Sequence, residues 1–97
     1  DVVMDIRKDR PDYLKCIGIN LSGKDAKALY IPKGFAHGFL CLEDDTIIIY
    51  QVSKGYHPCA DTGILYNSIN YEWGIDKPIV SNRDLSFISV KEWNSPF

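Results

Sequence analysis

Apolar residues along this chain come in short runs rich in Val, Ile, Tyr and Phe, and polar or turn-forming residues separate them. That spacing predicts strands rather than helices. Asp1–Ile6 reads as a strand, followed by the polar turn RKDRPDY around Pro11. Cys16–Leu21 alternates in part and is closed by SGKD. Ala28–Ile31 is a strand stopped by Pro32, and Lys33-Gly34 turns the chain into a further strand at Ala36–Leu42. Thr46–Val52 is the expected partner of that strand. Tyr56–Thr62 is a loop, Asn67–Trp73 holds at most a short helical turn, and Phe87–Val90 is a last short strand or edge. No segment keeps a helical period over three turns. Frequent short strands with turn signals predict an all-β sandwich or barrel. There is no internal repeat or linker, so one domain is expected.

One hairpin can be read in register. Asp44-Asp45 lies between two apolar runs as a two-residue loop would. In that register Phe39 faces Tyr50 and His37 faces Val52. Side chains alternate along a strand, so His37, Phe39 and Tyr50 share a face. A three-residue loop would turn Tyr50 to the opposite face.

Composition narrows the function. Of 97 residues, 45% are hydrophobic and 25% charged, with a net charge of −2. That is ordinary for a globular protein. No basic stripe is present, which argues against nucleic acid as the partner. No apolar run is long enough to span a bilayer, and the opening residues do not read as a signal peptide. The three cysteines, Cys16, Cys41 and Cys59, form no disulfide pattern. Reduced thiols in a cytoplasmic protein are the simpler reading. The first residue is Asp1, and DVVMDI already reads as strand, so residues upstream of Asp1 are expected.

Few residues offer chemistry. His37 sits between the small residues Ala36 and Gly38, which let backbone or ligand come close. It reads either as a buried histidine bonded to a carbonyl or as a pocket residue. Tyr50 is either a packing aromatic or a general acid, given a neighbouring charge or donor to tune it. Tyr56 and His57 lie in a loop, where an aromatic can close over a ligand or simply be exposed. Asp84, in SNRD, either caps its own turn or orients a catalytic histidine. A zinc site built from His37, Cys41, His57 and Cys59 is set aside. The two histidines are twenty residues apart, and the spacing fits no ligand pattern. Phosphate-loop, nucleophile-elbow and dinucleotide motifs are absent.

The segments DVVMDIRKDRPDY, INLSGKDAKALYIPKGFAHGFLCLEDDTIIIYQV, GYHP and VSNRD, in that order, resemble the C-terminal half of the dTDP-4-dehydrorhamnose 3,5-epimerases. The most specific match is IPKGFAHGF with a tyrosine eleven residues after its last Phe. The resemblance implies that residues 1–97 are the C-terminal part of one cupin-type jelly-roll domain, present incompletely, in a homodimeric enzyme that needs no metal or cofactor. The implied substrate is a nucleotide-linked 4-keto-6-deoxy sugar, dTDP-linked, of deoxysugar biosynthesis. A histidine base removes a proton beside the keto group, a lysine steadies the enolate, and a tyrosine returns a proton from the other face. By position, Tyr50 matches the tyrosine acid and Asp84 the carboxylate paired with the base. His37, Phe39, Tyr56 and Asp61 match residues of the substrate pocket. The base lies in an Arg-Gly-x-His-type segment of the family's N-terminal half, so it is expected before Asp1.

Some positions depart from the family pattern. Gln51-Val52-Ser53 replaces a Lys-Thr-Thr-type stretch, Gly55 stands for a tyrosine, and Lys77 stands where Trp is usual. These departures leave open a different nucleotide, a different sugar, or epimerisation at C3 alone. The alternative readings are a related 3-epimerase or ketoisomerase of a 4-keto sugar nucleotide and, because the base is not among these residues, a non-catalytic sugar-binding jelly-roll module.

Overall fold

The computed structural model describes residues 1–97. Its only sheet has three antiparallel strands: β1 (Val2–Asp5), β2 (Cys16–Gly18) and β3 (Phe35–Gly38). They lie in the order β2-β1-β3. Every residue of β1 is buried, as the apolar run VVM in a central strand requires. Val3 sits opposite Ile17 on one side and His37 on the other, while Asp5 sits opposite Phe35. Paired residues share a face, so Val3, Asp5, Ile17, Phe35 and His37 line one side of the sheet. Val2, Met4, Gly18 and Gly38 line the other.

Local chemistry sets these turns. After β1 the chain reverses through Pro11, with Leu14 in the left-handed region at φ +66°. Its amide donates to Asp5 O at 2.7 Å. Gly34 enters β3 at φ +88°, a conformation that costs little only for glycine. A Cβ there would also lie 2.6 Å from Arg7 Cγ.

The Val2/Met4 side is covered by aromatics from the second half of the chain. Tyr71 and Trp73 meet edge to face at 5.3 Å, and Trp73 Nε1 donates to Tyr66 O at 3.0 Å. Tyr71 lies where a side chain on Gly18 would point, so the bare backbone of β2 is what admits the ring. The C-terminal residues return to β1: the Ser95 hydroxyl donates to Ile6 O, and Lys8 N donates to Phe97 O at 3.2 Å.

Helix is scarce. Two 3-10 turns, Pro58–Ala60 and Tyr66–Ser68, and one short helix, α1 (Asn82–Leu85), complete the regular structure. This is a small, mostly-sheet architecture. Four strand expectations are corrected. The strand expected at Ala36–Leu42 stops at Gly38, and its partner is β1 instead of Thr46–Val52. Thr46–Val52 and Ala28–Ile31 join no ladder, and Phe87–Val90 follows α1 without forming a strand. The hairpin fails at its turn: Asp45 adopts φ +58°, but Asp44 does not join it at positive φ. A two-residue type I′ loop needs both. An isolated hairpin is also marginal in water without a third strand or a covering layer, and Ile47 and Ile49 remain exposed. Consequently Tyr50 does not stand across from Phe39.

Candidate functional site

Two polar clusters emerge from this framework. The first crosses the central strand pair. His37, on β3, presents Nδ1 to Asp1 Oδ2 at 3.2 Å. The Asp1 side chain is mostly covered, and its Oδ1 is buried without a hydrogen-bond partner. Burial lowers the His37 pKa from 6.5. The imidazole therefore favours its neutral form, in which one ring nitrogen accepts and the other donates.

On the same face, Arg7 forks onto Asp5: Nε reaches Oδ1 at 2.9 Å and Nη2 reaches Oδ2 at 2.6 Å. The Arg7 amide adds a third bond to Oδ1. These contacts hold the buried Asp5 carboxyl at a pKa of about 2. The guanidinium also lies 4.6 Å from the centroid of the Phe35 ring. A groove of about 350 Å³ runs between Arg7, Lys15, Ile17 and Phe35.

The second cluster joins the loop at Asp61 to α1. Ser81 caps α1, its Oγ accepting from Asp84 N at 3.2 Å, the usual service of a serine at that position. Arg83 Nη2 donates to Asp61 Oδ2 at 2.8 Å, and Nη1 donates to Asp84 Oδ1 at 3.1 Å. Hydrogen bonding to Asp61 is the main reason that the Arg83 pKa is raised further.

The remaining expected site residues stand apart from these clusters. Tyr50 and Tyr56 are exposed, at 76% and 77%, and neither side chain makes a hydrogen bond. Phe39 lies just beyond β3 and lines an apolar groove of about 370 Å³ with Ile75, Pro78 and Ile79. Thus Asp61 and Asp84 come together through Arg83, and His37 meets Asp1, while no hydrogen bond links Tyr50 to either cluster. Asp1 and Arg83 were not singled out from the sequence. The alternation of Asp1, Val3 and Asp5 carried a signal for the first, but only if β1 is paired with β3. Arg83 is adjacent to Asp84, and nothing in the sequence indicates its reach to Asp61.

Comparison with known proteins gives a consistent family. The family model described as dTDP-4-dehydrorhamnose 3,5-epimerase matches residues 1–92. The chain is similar to the dTDP-4-dehydrorhamnose 3,5-epimerase of Shigella flexneri, 41% identical over 88 residues that cover 89% of this chain and 49% of that protein. It is 36% identical over 97 residues to the protein of the same name from Methanothermobacter thermautotrophicus, covering 95% of this chain and 52% of the relative. It is 43% identical over 86 residues to that of Escherichia coli, covering 89% and 45%. The chain thus spans about half the length of the curated relatives it matches. No solved structure matches.

Proposed function

The chain belongs to the dTDP-4-dehydrorhamnose 3,5-epimerase family, and from that premise we propose that its residues serve an isomerase acting on a nucleotide-linked 4-keto-6-deoxy sugar, dTDP-linked, in rhamnose-type deoxysugar biosynthesis. Residues 1–97 form the C-terminal part of one cupin-type jelly-roll domain. The enzyme is a cytoplasmic homodimer that uses no cofactor. The family match over residues 1–92 carries this reading.

The chemistry follows from the substrate class. A 4-keto group acidifies the C–H bonds at C3 and C5, since the carbanion formed there is delocalised onto the carbonyl oxygen. A base removes the proton, the enolate forms, and an acid on the opposite face returns a proton with inversion. The enolate oxygen needs preorganised donors. Tyr50 is the acid, and Asp84 orients and charges the histidine base. Neither histidine of this chain serves as that base. It is contributed, with the lysine that steadies the enolate, by residues outside 1–97. This assignment is supported by the length of the relatives, of which this chain covers about half. His37, Phe39, Tyr56 and Asp61 contact the nucleotide sugar.

Gln51, Val52, Ser53, Gly55 and Lys77, where the family pattern differs, are compatible with epimerisation at C3 alone.

The test uses the full-length gene product carrying these residues. Incubated in D2O with a dTDP-linked 4-keto-6-deoxy sugar, it is expected to place deuterium at both C3 and C5. Label at C3 only assigns a 3-epimerase, and label at neither position refutes the enzyme reading. Tyr50→Phe is expected to slow turnover by about 100-fold or more, the usual contribution of a positioned general acid, while binding persists. Unchanged turnover would remove Tyr50 from the acid role.

A further inference from the structure

Arg83 uses two different nitrogens on two different carboxylates. Nη2 takes Asp61 Oδ2 at 2.8 Å and Nη1 takes Asp84 Oδ1 at 3.1 Å. The other oxygen of each carboxylate, Asp61 Oδ1 and Asp84 Oδ2, accepts no hydrogen bond. Each acid is thus gripped on one side and open on the other. The guanidinium is itself held from a third direction, with its carbon 4.9 Å from the centroid of the Phe87 ring. That ring lies where a side chain on Gly63 would point, so only a glycine at this position lets Phe87 lie against the loop. The main chain of Asp84 is fixed separately by the Ser81 cap.

These contacts form one connected unit: Gly63, Phe87, Arg83, and then the two carboxylates. A planar guanidinium suits the task, because its donors are rigidly spaced, whereas a lysine offers a point charge on a flexible stem. All three charged side chains are substantially exposed, Arg83 at 54%, Asp61 at 36% and Asp84 at 49%. Exposed pairs contribute little to stability, so the stability of the fold does not account for this arrangement.

We infer that Arg83 is a positioning residue that sets the separation and orientation of the Asp61 and Asp84 carboxylates, so that Asp84 Oδ2 is turned toward the catalytic base while Asp61 Oδ1 is turned toward the substrate. This rests on the proposed epimerase reading for what the free oxygens face. The clamp itself rests on the geometry alone.

The experiment has two arms on the full-length gene product. In the first, carbonyl-region NMR follows the Asp61 side-chain Cγ. With Arg83 present, Asp84→Asn is expected to shift the Asp61 signal. In an Arg83→Gln background the same substitution is expected to leave it in place. An equal response in both backgrounds overturns the clamp. In the second arm, Arg83→Gln is expected to lower kcat about tenfold or more, as small misplacements of catalytic groups do, with thermal midpoint unchanged. Arg83→Lys is expected to restore little of kcat, since it keeps the charge and loses the fork. Wild-type kcat in Arg83→Gln overturns the positioning role. If the unsubstituted protein exchanges no deuterium into the sugar, the epimerase reading falls, and the NMR arm still decides the clamp.

Discussion

His37 Nδ1 and Asp1 Oδ2 face each other at 3.2 Å across the β1–β3 ladder, and the imidazole is nevertheless held below its ordinary pKa because burial disfavours the charged ring. The unfolded chain then takes up a proton at His37 first as pH falls through 6.5. Native stability is complete above that pH and declines below it, until the folded imidazole also becomes protonated. In the full-length gene product, His37→Gln is expected to flatten the fall in urea midpoint between about pH 7 and pH 5. NMR titration of the His37 ring should place its midpoint below 6.5. Asp1→Asn is expected to lower it further by removing a neighbouring negative charge. An upward shift in Asp1→Asn would contradict the pairing.

Asp5 and Arg7 behave in the opposite sense. The Asp5 carboxyl is 5% exposed and its pKa is lowered to about 2, chiefly by the hydrogen bonds from Arg7. A depressed carboxylate contributes stability above its unfolded pKa near 3.8, and that contribution is lost as pH falls toward 2. Arg7→Ala strands a buried charge, whereas Asp5→Asn with Arg7→Met removes the charge from both sides. The single variant is expected to lose more stability than the double one. Urea midpoints at pH 7 decide this, and a double variant weaker than Arg7→Ala would refute it.

The sequence made β1, β2 and β3 legible, each within a few residues, because short apolar runs punctuated by Pro11, Gly23, Pro32 and Gly34 carry a local signal. It did not reveal which strand pairs with which. Nothing local distinguishes β1 from Thr46–Val52 as the neighbour of His37, since pairing is decided by burial across distant segments. In the sequence Asp84 reads as capping its own turn or orienting a histidine base, whereas the cap of α1 is Ser81, whose Oγ accepts from Asp84 N. The tie of Asp84 to Asp61, twenty-three residues away, depends on the reach of one arginine and leaves no periodic trace.

Gly34 and Gly23 offer a controlled comparison. Gly34 has φ +88°, and a Cβ there would meet the Arg7 side chain at 2.6 Å. Gly23 has nothing within 4 Å of a modest side chain. Gly34→Ala is expected to destabilise the full-length gene product by about 1–2 kcal/mol from the left-handed backbone alone. Gly23→Ala is expected to be neutral or stabilising by up to about 1 kcal/mol, by narrowing the unfolded ensemble. Equal losses at the two positions, measured by urea denaturation, would show that the Gly34 conformation is not what requires glycine.

The last prediction concerns residues 1–97 expressed alone. Their surface is 8347 Å², against about 5,600 Å² for a closed monomer of this mass. The radius of gyration is 14.0 Å, against about 12.5 Å for a compact domain of this length. Ile47, Ile49, Val52 and Ile79 are each more than 70% exposed. β2 and β3 each have one unpaired edge. Exposed apolar residues beside open strand edges invite association. The isolated segment is therefore expected to bind a hydrophobic dye, sediment as mixed oligomers and lack a cooperative thermal transition. Lysine substitutions at Ile47 and Ile49 should reduce dye binding and oligomer formation together. A monodisperse monomer with a single sharp melt would show that the exposed run is stable without any covering layer.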